Sequence, residues 1–241
     1  MWLIDSSIGR KLVMSVSGLA LILFLTFHMA MNCVALFSGT GYNMVCEFLG
    51  ANWYALVATV ILAFLVVLHF VYAIILTIQN RKARGHERYA VTAKPKNVEW
   101  ASQNMFVLGL IVILGLGLHL ANFWANMQLT ELLGQESSVV AGFEVAPTNG
   151  AALIAINFAN PVIVVLYVVW LVALWFHLTH GFWSAFQTIG WNGKNWIKRL
   201  QVIGNVYTTI VILGFLAVLL MFFVKSLVNP NFVTEYIQSI A

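Results

Sequence analysis

Charged side chains are scarce in this sequence. They make up 8% of its 241 residues, whereas hydrophobic residues make up 61%. A soluble domain carries about 25% charged residues, which it needs to cover its surface in water. A chain with so little charge must be covered mostly by lipid, which excludes a soluble globular protein.

Two further shortages exclude other classes of protein. The net charge of +4 is not gathered into a basic patch with interleaved aromatic residues, so it does not indicate nucleic-acid binding. Cys33 and Cys46 are the only cysteines and no C-x-x-C-H motif occurs, so covalent attachment of a c-type haem is unsupported. The two cysteines are either a disulfide on the outer face or two small apolar residues, and the sequence leaves both interpretations open.

Long apolar runs dominate what remains. A helix needs about 20 apolar residues to cross a bilayer. Five segments reach that length, at residues 12–37, 53–78, 100–127, 158–189 and 202–228. Since neither irregular backbone nor an open sheet can face lipid, these segments are predicted to be helices. The sequence therefore predicts an all-α membrane bundle in a single domain over residues 1–241, with Trp2, Leu3 and Ile4 lying along the membrane interface.

The basic residues predict the orientation of the bundle. Eleven of the 12 lysines and arginines fall in one set of loops, and Lys225 alone falls in the other set. Because lysine and arginine accumulate on the cytoplasmic side, the N-terminus is predicted inside and the C-terminus outside. The basic inner loop 79–99 is either a dock for a soluble partner or only this topological signal.

Histidines are the buried ionisable residues of the predicted spans. The first four helices carry one each, at His28, His69, His119 and His177, and His180 follows one turn after His177. Ionisable groups inside a membrane are costly and by default functional. The predicted spans hold no aspartate, glutamate, lysine or arginine at mid-depth, which argues against an ion pathway built from carboxylates.

The depths of these histidines form two layers. At 1.5 Å per residue, His28 and His119 lie roughly 14 and 12 Å from the outer ends of their helices, and His69 and His177 lie roughly 24 Å from theirs. Neutral imidazole is a good iron ligand, so two layers of two indicate two haems that pass electrons between the membrane faces. The alternative is that each histidine only bonds a neighbouring helix. Spacing alone does not choose between His177 and His180.

Anionic propionates of the inner haem require donors near the inner face. The candidates share that location and a donor group, and they are Arg10, Lys11, Ser15, Trp100, Ser184 and Lys194. Small residues beside the histidines would let a flat cofactor approach closely, although plain helix packing uses the same residues.

Four stretches of the sequence resemble a known family. They are the S-S-I-G-R-K run at residues 6–11, the stretch from Ser17 through His28 to Asn32, His69 with the basic loop after it, and F-H-L-T-H-G-F-W-S at residues 176–184. Over nearly the whole chain they resemble the single-chain, five-helix di-haem cytochrome b anchor of the succinate dehydrogenase/fumarate reductase (complex II) superfamily.

The resemblance implies specific ligands. It pairs the first helix with the third and the second with the fourth, so His28 and His119 would hold the outer haem b and His69 and His177 the inner one. The family ligand on the fourth helix stands four residues before the glycine, which selects His177 over His180. Trp175 stands where some fumarate-reducing members carry a glutamate for a proton route, so this chain departs from that pattern.

The resemblance also implies partners. Electrons would pass between a membrane quinone, with menaquinone the expected species, and an iron–sulfur subunit that docks with a flavoprotein on the inner face of the cytoplasmic membrane. Dicarboxylate chemistry would belong to those subunits. The sequence leaves open the direction of catalysis, the quinone species, the haem potentials and the oligomeric state.

An outer quinone site requires a protonatable group. Glu47 is the acid in the short outer loop just before Trp53 and Tyr54, and it is predicted either to carry the quinone's protons or to be an ordinary exposed acid. The sequence argues against two other functions. A hydrogenase or formate dehydrogenase cytochrome lacks the quoted motifs, and a haem-free transporter favours repeats and broken helices.

Overall fold

A computed structural model describes residues 6–50, 52–84, 100–191 and 193–240 of the chain. The predicted interfacial residues Trp2, Leu3 and Ile4 lie outside these ranges. So does most of the basic inner loop, residues 85–99.

The fold is an all-α membrane bundle, as predicted. Among the described residues, five helices are long and apolar enough to cross a membrane, namely Ser7–Leu36, Trp53–Ala83, Met105–Asn126, Pro161–Thr188 and Lys194–Val228. In chain order the elements are α1 (Ser7–Cys33), α2 (Gly39–Phe48), α3 (Trp53–Arg84), α4 (Trp100–Gln103), α5 (Met105–Asn122), α6 (Gln128–Leu132), β1 (Ser138–Val140), β2 (Phe143–Val145), α7 (Gly150–Ala159), α8 (Pro161–Thr188), α9 (Lys194–Val228) and α10 (Phe232–Ser239). Short 3-10 turns follow α1 and α5, at Val34–Leu36 and Trp124–Asn126.

The five spans are found, but their boundaries differ from the prediction: the first begins at Ser7 instead of Leu12, and the second continues to Arg84 instead of ending at Ile78. The third is interrupted at Asn104 and its α-helix ends at Asn122, and the fifth begins at Lys194 instead of Val202. The fourth begins at Pro161 instead of Phe158, because proline has no N–H to donate and suits the first position of a helix. The side-chain oxygen of Asn160 caps that helix by accepting from the Val162 N–H at 2.9 Å.

The segment between the predicted third and fourth spans, residues 128–156, is the outer loop of the predicted orientation, and it leads into a buried helix, α7, that the sequence did not predict. Residues 150–158 of α7 are all buried, and Leu153 is 0% exposed. Ten residues are too short to cross a bilayer, so α7 serves as a core helix. Ala152, Leu153 and Ile156 of α7 form a buried apolar cluster with Val145. The partly buried apolar side chains packed against this cluster are Phe123, Met127, Val140, Phe143, Val233 and Ile237.

A two-stranded hairpin belongs to the same loop. β1 and β2 pair antiparallel, with Val140 opposite Phe143. The two residues of the turn, Ala141 and Gly142, both have positive φ, at 50° and 86°. That backbone matches the right-handed twist of a hairpin and is rare for alanine. The outer loop therefore forms an ordered structure and is more than a connection.

The packing of the chain divides it into two compact units. The first takes its described residues from Met1–Phe24, Ile61–Leu110 and Leu174–Thr209, and the second takes them from Leu25–Val60, Ile111–Ala173 and Ile210–Ala241. Two of the four mid-span histidines, His69 and His177, fall in the first unit. The other two, His28 and His119, fall in the second.

Candidate haem sites

In the first unit, His69 of α3 and His177 of α8 face each other. Their ring centroids lie 6.3 Å apart with an interplanar angle of 64°. Both rings lie against glycine. A Cβ added at Gly18 would lie 3.2 Å from His69 Cε1, and one added at Gly109 would lie 3.7 Å from His177 Cε1. The two rings therefore occupy space that any larger residue at Gly18 would reduce.

Ser17 fixes the orientation of the His69 ring. Its side chain is 1% exposed, and its hydroxyl donates to the Met14 carbonyl at 3.1 Å. Because that hydrogen is used, the Ser17 oxygen accepts from His69 Nδ1, which lies 3.2 Å away. The proton of the imidazole therefore lies on Nδ1, and Nε2 is left with the lone pair that a metal needs.

The first unit also holds three buried polar atoms that have no hydrogen-bond partner among the described residues. They are His177 Nδ1, Arg10 Nε and Thr208 Oγ1. An unsatisfied buried polar group costs about 1–3 kcal/mol, so native structures contain few of them. Arg10 is one of the predicted propionate donors. Its Nε–H is buried and has no partner among the described residues, so it is available to donate to an anionic group inside the protein.

The other predicted donors differ in burial. Ser15 is buried, whereas Lys11 and Lys194 are exposed. Trp100 lies against Phe176, with ring centroids 5.0 Å apart, and the Ser184 carbonyl accepts from the Thr188 hydroxyl.

Trp175, at the position of the absent glutamate, donates its indole N–H to Thr209 Oγ1 at 3.0 Å.

In the second unit, His28 of α1 and His119 of α5 lie edge to face. Their ring centroids are 5.7 Å apart and the interplanar angle is 84°. Aromatic rings surround them: Phe215 lies 5.7 Å from His28, and Phe123 and Trp170 lie 5.2 and 5.7 Å from His119. His119 Nδ1 is buried without a hydrogen-bond partner among the described residues. The pair therefore sits in a largely apolar enclosure.

His180 has a different environment from His177. Its ring lies edge to face on Trp183, with centroids 4.9 Å apart. The ring that faces His69 is His177. The structure thus brings together the two pairs that depth and the resemblance gave. The remaining histidine of the sequence, His86 in the basic inner loop, lies outside the described residues.

Neither pair is part of a larger metal-ligating cluster. Within the described ranges, no group of three or more histidine, cysteine, aspartate or glutamate side chains is placed to hold a metal ion. Two opposed imidazoles suit an iron whose remaining ligands belong to a porphyrin.

Glu47 lies near the end of α2, and its side chain is exposed. The turn after it is fixed by two contacts: Asn52 Nδ2 donates to the Glu47 carbonyl at 3.3 Å, and the Tyr54 hydroxyl donates to the Phe48 carbonyl. Trp53 and Tyr54 then begin α3, with ring centroids 5.8 Å apart. The acid therefore stands close in sequence to an aromatic pair at the start of a span, and its role as a proton carrier stays a prediction.

The two cysteines are not joined. Cys33 lies 3.5 Å from the sulfur of Met29, and Cys46 is buried on α2 beside Tyr42. Burial raises the pKa of the Cys46 thiol to about 11. The disulfide that the sequence left open is therefore absent.

The Cys46 thiol is expected to resist alkylation. With a pKa of about 11, roughly one thiol in a thousand is ionised at pH 8, and the thiolate is the reactive form. Iodoacetamide at pH 8 should label Cys46 at least tenfold faster after unfolding than in the folded protein, as measured by mass spectrometry of peptides. Recovery of a cross-linked Cys33–Cys46 peptide without reductant would contradict this account.

Comparison of the chain with protein families, with curated proteins and with solved structures found no match in any of the three. The site geometry and the sequence motifs therefore carry the functional assignment by themselves.

Proposed function

We propose that this chain is the di-haem cytochrome b subunit and membrane anchor of a complex II-type oxidoreductase. It would transfer electrons between a membrane quinone, with menaquinone expected, and an iron–sulfur subunit. One observation carries the proposal. Each mid-span histidine lies ring to ring with the partner that its depth assigned to it, His69 with His177 and His28 with His119.

The distances within the pairs suit a shared metal. Their ring centroids are separated by 6.3 and 5.7 Å, so the two imidazoles of each pair lie close enough together to hold one metal ion. The unpartnered Nδ1 atoms of His119 and His177 are further support, because a buried imidazole nitrogen requires a partner.

The chain's own residues would hold and shield each group. His69 would bind the iron through Nε2, because its Nδ1 carries the proton and donates it in a hydrogen bond to the Ser17 oxygen. Arg10 would offer its buried Nε–H to an anionic propionate. Around His28 and His119, aromatic rings would exclude water. When bound, haem supplies a one-electron carrier, and an iron with two histidine ligands has no position left for a substrate.

The partners follow from the orientation of the chain. Iron–sulfur and flavoprotein subunits would dock on the basic inner face, where Arg10, Lys11, Lys194, Lys198 and Arg199 lie by the positive-inside rule. The complex would lie in the cytoplasmic membrane, and the dicarboxylate reaction would take place on the soluble subunits. Glu47 would carry protons for a quinone near the outer end of the second unit.

Purification of the tagged chain from its native membranes tests the proposed complex. We expect an iron–sulfur and a flavin-containing subunit to copurify, together with succinate–quinone or quinol–fumarate activity measured with menaquinone and ubiquinone analogues. A haem-containing preparation that associates instead with hydrogenase or formate dehydrogenase subunits would contradict this function while preserving the haem sites.

Enlarging Gly18 should disturb one haem. A valine at Gly18 would bring its Cβ to 3.2 Å from His69 Cε1 and would add two methyl groups. The His69 ring would therefore have to move away from its present position opposite His177. We expect Gly18→Val to lose more than half of the haem held by His69 and His177 and to retain the other. The measurement is the reduced-minus-oxidised spectrum, normalised to protein.

Gly117→Val is the matched control for that variant. It places the same residue in a span, but a Cβ at Gly117 meets no atom within 4 Å. Full haem content in both variants would show that the contact between Gly18 and His69 does not position a ligand.

A further inference from the structure

The side-chain amide of Asn32 has a fixed orientation beside His28. Asn32 lies one helical turn after His28 on α1. Its Nδ2 donates to the His28 carbonyl at 2.8 Å, and its Oδ1 accepts from the Tyr42 hydroxyl at 3.1 Å. Reversing the amide would place its oxygen against the His28 carbonyl, which can only accept, so that bond selects the orientation in which the Tyr42 hydroxyl donates to Oδ1.

This orientation directs the positive end of the amide at the imidazole. Asn32 Nδ2 lies 3.4 Å from His28 Nε2. That distance is long for a hydrogen bond, and one of the two amide hydrogens donates to the His28 carbonyl. The contact is therefore mainly electrostatic, with the partial positive charge of the NH₂ group held near the ring.

Tyr42 holds the amide from a position outside the spans. It lies on α2, is 8% exposed, and contacts the Cys46 thiol. Burial raises the pKa of the Tyr42 phenol well above its ordinary value. The phenol therefore stays protonated and remains a donor to Asn32 through the physiological pH range.

We propose that Asn32, oriented by Tyr42, is a positioning residue that raises the reduction potential of the haem held by His28 and His119. The inference rests on the proposed function. Reduction removes one positive charge from the iron, and a fixed positive dipole end close to its ligand favours the form with less positive charge. The ring of Phe215 lies 5.7 Å from that of His28, so the dipole acts on an imidazole whose surroundings are less polar than bulk water.

Two variants separate orientation from bulk. Asn32→Leu keeps the approximate volume and removes the dipole. Tyr42→Phe keeps the ring and removes only the hydroxyl that orients the amide. Tyr236→Phe is the control, because Tyr236 is a partly buried tyrosine of the same unit that stacks on Phe232. All are made in the intact complex in its native membranes.

The readout is a redox titration that follows each haem by its optical band and its electron paramagnetic resonance signal. At the ambient potential where the wild-type His28–His119 haem is half reduced, Asn32→Leu should lower its ratio of reduced to oxidised form at least threefold. Tyr42→Phe should lower it by a smaller factor. The His69–His177 haem in both variants, and both haems of Tyr236→Phe, should titrate as in the wild type.

An unchanged ratio in Asn32→Leu with full haem content would overturn the proposal. If Asn32→Leu loses the haem, the test rests on Tyr42→Phe. An unchanged ratio of reduced to oxidised His28–His119 haem in that variant would also overturn the proposal. A wild-type protein without haem would instead remove the proposed function, so the two failures are distinguishable.

Discussion

His28→Ala and His119→Ala are expected to remove the same haem, and His69→Ala and His177→Ala to remove the other. Each substitution should lower the haem content from about two per chain to about one, because a half-ligated iron binds poorly. The structure supports these pairs, since the rings of each pair face each other within one compact unit. Spectra and redox titrations of the four purified variants identify which haem is lost.

His180→Ala is the matched control, because it removes an imidazole one turn from His177. Its ring lies on Trp183, so both haems should remain. Loss of a haem in His180→Ala together with its retention in His177→Ala would contradict the ligand assignment. Loss of different haems in His28→Ala and His119→Ala would contradict the pairing.

Glu47→Gln is expected to lower quinone-linked turnover at least tenfold while both haems and the assembled complex are retained. Quinone redox chemistry moves protons, and glutamine keeps the shape of the side chain but cannot carry one. Succinate oxidation with a soluble dye acceptor should continue, since that reaction does not use the quinone site. The measurement compares the two activities in the same preparation.

Glu136→Gln serves as the control for Glu47→Gln. Glu136 is another exposed acid of the outer loop, in the same unit but after α6. Its replacement should leave both activities unchanged. Unchanged quinone turnover in Glu47→Gln would remove Glu47 from the quinone site and identify it as an ordinary exposed acid.

The five spans could be predicted because hydropathy and length constrain a membrane helix strongly. The elements of the outer loop could not be predicted in the same way. The run G-A-A-L-I-A-I-N-F-A of α7 is apolar but too short to cross a bilayer, and part of it was assigned to the fourth span. The sequence Asn160–Pro161 was the signal for that boundary, because a proline disfavours the helical conformation at the residue before it.

The pairing of histidines could be predicted from depth, because rise per residue converts sequence position into distance along a helix. Which side chains contact each histidine could not be predicted, because those contacts depend on the rotation of each helix about its own axis. Ser17 at His69 and Tyr42 at Asn32 depend on how each helix is rotated and where the loop helix α2 lies. Asn32 alone had a local signal, its spacing of one turn from His28.

Pyridine haemochrome quantitation of the purified chain tests the central claim most directly, since it counts protohaem per polypeptide independently of catalysis. The account predicts about two haems b per chain, one for each histidine pair. A value near one would contradict the two-pair scheme, and a value near zero in protein purified from native membranes would contradict the assignment as a cytochrome.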